Sequence, residues 1–360
     1  MKTIQFIIAV LLFPLSIWYA VGVAVRNVLY SVGIKKSLPT SIPTIGIGNL
    51  RMGGTGKTPH TEYLIRLFTH EDAGVPVVGE SGVALLSRGY GRKSHGFQLA
   101  GNNPSVSVIG DEPSMMARKF PSVTVAVCEK RLDGVDRLAK LPNPPSVVLL
   151  DDVFQHRPIK PTVSILLTEY NDVFSDDFIL PFGNLREFRR GRGRADIVVV
   201  TKCPPALSSR KRSEYRRRLK LQPHQELFFS RIVYGLPQPL FGNCQWQPVR
   251  KVLLITGIAH PEPLRHHLEK ICTVSHLSFP DHHIFTADDC NLIINRFHSM
   301  KEESKAIVTT EKDSIRLLMQ AVRNLLSDLP VFFVPIRVSF SEGEKFDQTI
   351  YKKLSNFALS

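Results

Sequence analysis

No Asp or Glu precedes Glu62, so the start of the chain carries charge of one sign only. Cysteine is scarce and shows no pairing pattern: Cys128, Cys203, Cys244, Cys272 and Cys290 are odd in number and have no C-x-x-C spacing. That excludes a disulfide-stapled secreted scaffold and favours reduced thiols, with the bulk of the protein facing the cytoplasm. There is no internal period, and the 25 prolines and 23 glycines fall in separate turn signals without forming a linker tract. A fibrous repeat is therefore excluded. Charged residues at 22% beside hydrophobic residues at 43% also exclude general disorder. A length of 360 residues suffices for two domains, each with its own core.

What the chain has in excess is positive charge. Lys and Arg number 46 against 32 Asp and Glu, a formal balance of +14 that calls for an anionic partner: nucleic acid, an acidic membrane face or a phosphorylated substrate. Residues 6–25 are apolar apart from Ser16 and Tyr19, with Pro14 and Gly22 inside the run. A helix of that length reaches roughly 30 Å, about the thickness of a bilayer's hydrocarbon layer. A buried core helix is the alternative to a membrane-associated one; Pro14 can kink the helix, and Trp18 and Tyr19 are not confined to one end, so a span, a half-inserted hairpin and an interfacial anchor all stay open. Ala20-Val21-Gly22 falls short of a persuasive signal-peptide cleavage site. Arg26, Lys35 and Lys36 follow the run and place the main body on the cytoplasmic side.

Beyond this segment, short β-rich runs alternate with helix-like stretches. Residues 44–48 read as a strand entering Gly53-Gly54-Thr55-Gly56-Lys57-Thr58, and residues 61–69 continue as a helix with Leu64, Ile65, Leu67 and Phe68 toward a sheet. The loop matches G-x-x-x-x-G-K-[ST] except at its first position, which is Arg51. Glycines let backbone N–H groups converge on phosphate oxygens, Lys57 can reach the terminal phosphates and Thr58 can ligate magnesium, so a nucleotide with Mg2+ is the expected ligand. Further strands are expected at 83–86, 123–127, 147–150, 163–167, 196–200, 227–232, 252–256, 306–309 and 331–334. The expected fold class is α/β, a P-loop nucleoside-triphosphatase-like, mostly parallel sheet with a second, smaller α/β domain and an N-terminal membrane-associated helix. The expected division is a membrane-associated segment at 1–36, a P-loop domain at 37–165 and a C-terminal domain at 166–360, whose last strands could return to the first sheet.

Residues 147–150 form an apolar run ending in Asp151-Asp152, and a carboxylate beyond the end of a parallel strand can hold magnesium directly or through water. Asp111, in Gly110-Asp111-Glu112-Pro113, can take a proton from a substrate hydroxyl or can cap the helix that follows. Asp281-His282-His283 admits a histidine that orients a carboxylate or touches phosphate, or a plain polar loop. Guanine selection needs an Asn/Thr-Lys-x-Asp element, and Thr201-Lys202-Cys203-Pro204 has proline where the aspartate belongs. Basic residues cluster at 186–194 and 210–220 with only Phe188 and Tyr215 as aromatic neighbours, which fits an anionic bilayer or lipid headgroup better than a nucleic acid whose bases need stacking platforms. A solvated basic helix remains open for residues 210–220. A membrane-associated P-loop NTPase acting on nucleic acid is the alternative.

Seven motifs carry a resemblance: Gly48-Asn49-Leu50 through Pro59, Leu86-Ser87-Arg88-Gly89-Tyr90-Gly91, Gly110-Asp111-Glu112-Pro113, Asp151-Asp152-x-Phe154-Gln155-His156-Arg157, Leu185-Arg186-Glu187, Asp281-His282-His283 and Thr310-Glu311-Lys312-Asp313. Together the chain resembles the tetraacyldisaccharide 4'-kinase family of lipid A biosynthesis over nearly its whole length. The resemblance implies an ATP- and magnesium-dependent kinase at the cytoplasmic face of the inner membrane, phosphorylating the 4'-hydroxyl of a disaccharide 1-phosphate lipid. It implies that Gly53, Gly54, Thr55, Gly56, Lys57 and Thr58 hold the nucleotide and that Thr58, Asp151 and Asp152 serve the metal. Asp111 matches the family's base and His282 its histidine partner, with Lys57 acting on the transferred phosphate. An anionic glycolipid substrate and a lipid surface are the implied partners, without nucleic acid or an obligate protein partner. The chain departs from the family at Phe182 and Asn184, where Ala and Pro are usual nearby.

Overall fold

The structure is a computed structural model; it describes residues 2–69, 82–101, 106–355 and 357, with residues 2–12 and Ala321 described by backbone alone. The chain forms two compact units, Met1–Ile232 with Val338–Ser360, and Val233–Arg337.

The first unit opens with helix α1 (Lys2–Ser31), which runs through Pro14. Among the described residues no helix is long and apolar enough to cross a membrane. Strand β1 (Thr44–Asn49) is buried at every position, as a strand covered on both faces must be. The glycine loop follows, and then α2 (Lys57–Thr69), which buries Leu64, Ile65 and Phe68. Next come β2 (Val83–Ser87), β3 (Gln98–Leu99), α3 (Val106–Ile109), α4 (Asp111–Lys119), β4 (Thr124–Val127), α5 (Arg131–Leu138) and β5 (Val147–Leu150). The unit continues through β6 (Val163–Glu169), β7 (Ile197–Thr201), α6 (Ser209–Arg218) and β8 (Glu226–Tyr234).

The second unit contains β9 (Gln238–Pro239), β10 (Lys251–Thr256), α7 (Glu262–Leu268), β11 (Thr273–Ser278), α8 (Ala287–His298), β12 (Lys305–Thr310), α9 (Glu311–Leu317), α10 (Gln320–Leu326) and β13 (Val331–Val334). Pro335 ends β13, as a residue without an N–H should. The chain resumes as β14 (Ile336–Phe340) and closes with α11 (Gly343–Ser355).

Among the described residues nine strands make the first sheet, in the order β14-β8-β7-β6-β1-β5-β2-β4-β3, and five make the second, in the order β11-β10-β12-β13-β9. β1 lies between two parallel neighbours, with Ile45 opposite both Leu149 and Val163. Parallel pairing continues from β6 to β7 and from β7 to β8. The expected division at 165/166 is therefore corrected to Ile232/Val233. Val163, Leu166 and Ile197–Val200 are buried within the first sheet, where β6 pairs with β1 and β7 with β6. The returning segment is β14, which joins β8, whereas β13 stays with β12. β11 and β14 carry mixed burial, which hides the periodicity that would have marked them.

Candidate active site

Parallel strands end on one edge of a sheet, so the residues after β1, β2 and β5 meet there. After β1, Gly53 and Gly56 take positive φ values of 108° and 89°, bending the loop so that successive N–H groups can turn inward. The loop is held from beneath. Asn49 Nδ2 donates to Thr55 Oγ1 at 2.9 Å, and Thr201 Oγ1, from the end of β7, donates to the Thr55 carbonyl at 2.9 Å. Arg51, at the position where glycine is usual, is buried and pairs with Asp172 and with Asp177, the latter at 2.7 Å.

Lys57 and Thr58 open α2. Lys57 Nζ lies 3.6 Å from Asp152 Oδ1, and Thr58 lines a small cleft with Ser87, Glu112 and Asp151. The structure thus brings Lys57, Thr58, Asp151 and Asp152 together. Asp152 adopts φ +45° and receives Arg186 Nη1 at 2.9 Å, in addition to Lys57. Burial works against its charge, yet Lys57 and Arg186 hold its carboxyl below the ordinary carboxylate range. Asp151 goes the other way. Burial first, and then the neighbouring charges of Glu112 and Asp152, push it up to about 7 against the pull of Lys57 and Arg131. Its Oδ1 is buried without a hydrogen-bond partner. Such an oxygen is costly unless something cationic or protic meets it.

Asp111 is the first residue of α4, and Gly110 holds the cap position with no side chain capping the helix. The cap position is therefore Gly110, and Asp111 stands in the first turn beside Glu112. Its neighbour Glu112 reaches the Asp151 cleft. His282 belongs to the second unit, where it has φ +60° and its Nε2 lies 3.1 Å from Lys312 Nζ. Lysine can only donate, so His282 Nε2 is the acceptor in this contact. His283 turns away to Asp289 at 2.8 Å, stacked against Phe279.

Several site residues carried no assigned role in the sequence. Gln155 Nε2 donates to the Asn49 carbonyl at 2.7 Å and to Glu187 at 3.2 Å, joining the β5 turn to the root of the loop. Glu187 is fully buried and takes Arg194 at 2.7 Å. Arg131, buried beside Asp151, donates to the Asp151 carbonyl. Asn49, Gln155, Arg186 and Glu187 lie in the motifs quoted above, so a signal existed for them. Arg131 had none.

A group of three or more His, Cys, Asp or Glu side chains set for a metal does not occur among the described residues. Magnesium suits this arrangement all the same, because it is commonly held by one or two carboxylates with phosphates and water completing its shell. Asp151 supplies an orphaned oxygen beside Thr58 for that purpose.

Residues 8–355 match the family model described as tetraacyldisaccharide-1-P 4'-kinase. The chain is 43% identical over 356 residues to the tetraacyldisaccharide 4'-kinase of Bacteroides thetaiotaomicron, covering 94% of this chain and 91% of that one. It is 42% identical over 346 residues to that of Flavobacterium johnsoniae, covering 94% and 95%. The fold is similar to a crystal structure of LpxK from Aquifex aeolicus in complex with ATP, with a TM-score of 0.73, 28% identity and coverage of 96% and 99%.

Proposed function

Because the chain belongs to the tetraacyldisaccharide-1-P 4'-kinase family, and is an ATP-dependent kinase that phosphorylates the sugar of a lipid A precursor, we propose how its residues divide that work. The γ-phosphate of ATP passes to the 4'-hydroxyl of a tetraacyldisaccharide 1-phosphate. Amides of Gly53–Thr58 and the Lys57 ammonium bind the phosphates and oppose the charge that develops on them. Thr58, Asp151 and Asp152 would hold magnesium, which supplies charge neutralisation at the β and γ oxygens when bound. Arg186, beside Asp152, keeps that carboxylate ionised and oriented.

Asp111 accepts the proton of the sugar hydroxyl, and His282 is assigned to the same reaction by its motif alone. A sugar hydroxyl is a poor nucleophile at neutral pH, so alignment with the γ-phosphorus counts for more than strong basicity. The membrane contact belongs to α1 and lies at the cytoplasmic face of the inner membrane. α1 shows solvent a wide apolar surface that includes Trp18, Val21, Val25 and Val28. An interfacial helix needs such a surface, and the exposed Lys35 and Lys36 supply cations for anionic lipid.

The observation that carries this reading is the meeting of Lys57 and Thr58 with Asp151-Asp152 at one edge of the sheet. Purified protein in detergent, with magnesium, labelled ATP and a tetraacyldisaccharide 1-phosphate, should yield a bisphosphorylated lipid. Lys57→Ala should abolish that product, and full transfer by the variant would reject the role given to the loop.

A further inference from the structure

Arg186 reaches Asp152 from a turn that α1 holds at two points. Ser16 is only 3% exposed although its neighbour Trp18 is 77% exposed, and its Oγ accepts the Phe182 N–H at 2.8 Å. One helical turn on, the Tyr19 hydroxyl donates to the Arg186 carbonyl at 2.9 Å. About one turn before Ser16 the Phe13 ring meets Phe182 edge to face at 5.5 Å, and Phe182 meets Phe178 at 5.2 Å.

The turn is stiff. Leu185 N–H donates to the Phe178 carbonyl at 2.8 Å, Leu180 N–H donates to the Leu185 carbonyl at 3.0 Å, and Asp177 accepts from the Phe178 and Asn184 N–H groups. It is also joined to the phosphate loop. Met52 N–H donates to the Asn184 carbonyl and Arg186 N–H to the Leu50 carbonyl, each at 2.8 Å, while Arg51 binds Asp177. A displacement of α1 would therefore carry the turn, and with it the Arg186 guanidinium that lies 2.9 Å from Asp152.

We propose that Ser16 and Tyr19 are positioning residues for phosphoryl transfer, so that seating of α1 at the lipid surface sets the Arg186–Asp152 pair at the phosphate site. This rests on the reading of Lys57, Asp152 and Arg186 as the transfer site and of α1 as the lipid-facing helix. The two roles of α1 fall on different residues. Trp18, Val21 and Val25 point outward, whereas the polar atoms of Ser16 and Tyr19 point to the turn.

The test uses the full chain with Tyr19→Phe and Ser16→Ala, each changing little but one hydroxyl. Turnover of the lipid substrate should fall about threefold to tenfold in each, the loss expected for one hydrogen bond. Sedimentation with anionic vesicles should stay at the wild-type level, and Ser16→Thr, which keeps the hydroxyl, should restore turnover. In an Arg186→Ala background the Tyr19→Phe loss should disappear, as a cycle demands when one residue acts through the other. Wild-type turnover in both single variants, a loss that tracks vesicle binding, or an undiminished loss in the Arg186→Ala background would each overturn the inference. Wild-type turnover in Arg186→Ala alone would instead remove the transfer-site reading and the inference with it.

Discussion

His60, in the first turn of α2, has both ring nitrogens committed. Nδ1 lies 2.7 Å from the Gly56 carbonyl, which can only accept, so Nδ1 carries the proton and Nε2 accepts the Ser230 hydroxyl at 2.9 Å. Burial lowers its pKa from 6.5 to about 4, with the Gly56 bond working in the opposite sense. Between those values the unfolded chain binds a proton that the folded chain refuses. Stability from neutral His60 is thus full above pH 6.5 and is lost as pH falls toward 4. Urea midpoints should reveal roughly 2 kcal/mol of destabilisation between pH 7 and 5 from this group. His60→Gln should flatten that slope, and a slope equal to wild type would place the proton elsewhere. Asp111, at the start of α4, is a matter of rate, not stability. Asp111→Ala should cut turnover by about 10² to 10⁴ with little change in ATP binding, and single-turnover transfer beside a nucleotide titration separates the two.

At the scale of elements, β1 and the turn after β5 touch so closely that one methyl group matters. A Cβ on Gly48 would stand 2.6 Å from Phe154 Cβ and 2.9 Å from its backbone nitrogen. Gly48→Ala should cost about 1–3 kcal/mol in a denaturant melt and weaken transfer as well, because the displaced turn carries Asp151 and Asp152. An unshifted midpoint would show that the turn yields freely. In the second unit, Thr310 caps α9 while buried Asp313 accepts the Gly257 N–H at 3.0 Å and pairs with Arg316. Asp313→Ala should destabilise by about 3–5 kcal/mol, since Arg316 would be left buried and unpaired, and calorimetry of the full chain would show it. These contacts explain what the sequence disclosed. Buried runs such as residues 147–150 and 196–200 announce strands by apolarity alone, and parallel pairing then forces Lys57 and Asp151 to one edge. The extent of the first unit was illegible, because pairing of β6 with β1 depends on contacts 118 residues apart, such as the Thr44 and Thr162 link. Arg131 and His60 were equally hidden, their roles created by burial.

For the whole molecule, the decisive quantity is the excess of 14 positive charges together with where the apolar surface lies. α1 shows Leu15, Trp18, Val21, Val25 and Val28 to solvent, a spacing of three and four residues that draws one stripe along the helix. The α6 cations are partly spent within the protein: Arg212 pairs with Glu342, Arg218 with Asp176 and Lys211 with Glu214. Association with a lipid surface should then have two separable parts. The electrostatic part, worth about 1 kcal/mol for each cation near an anionic surface, fades as salt shortens the Debye length from about 10 Å at 0.1 M to about 3 Å at 1 M. The apolar part does not. Binding to anionic vesicles should therefore fall with added salt to a floor that neutral vesicles share, and Trp18→Ser with Val21→Ser should remove the floor while leaving the salt-dependent portion. Binding that vanishes entirely in high salt would assign the membrane contact to charge alone and deny α1 its part, and a preference for RNA over anionic vesicles would turn the basic surface toward a different partner.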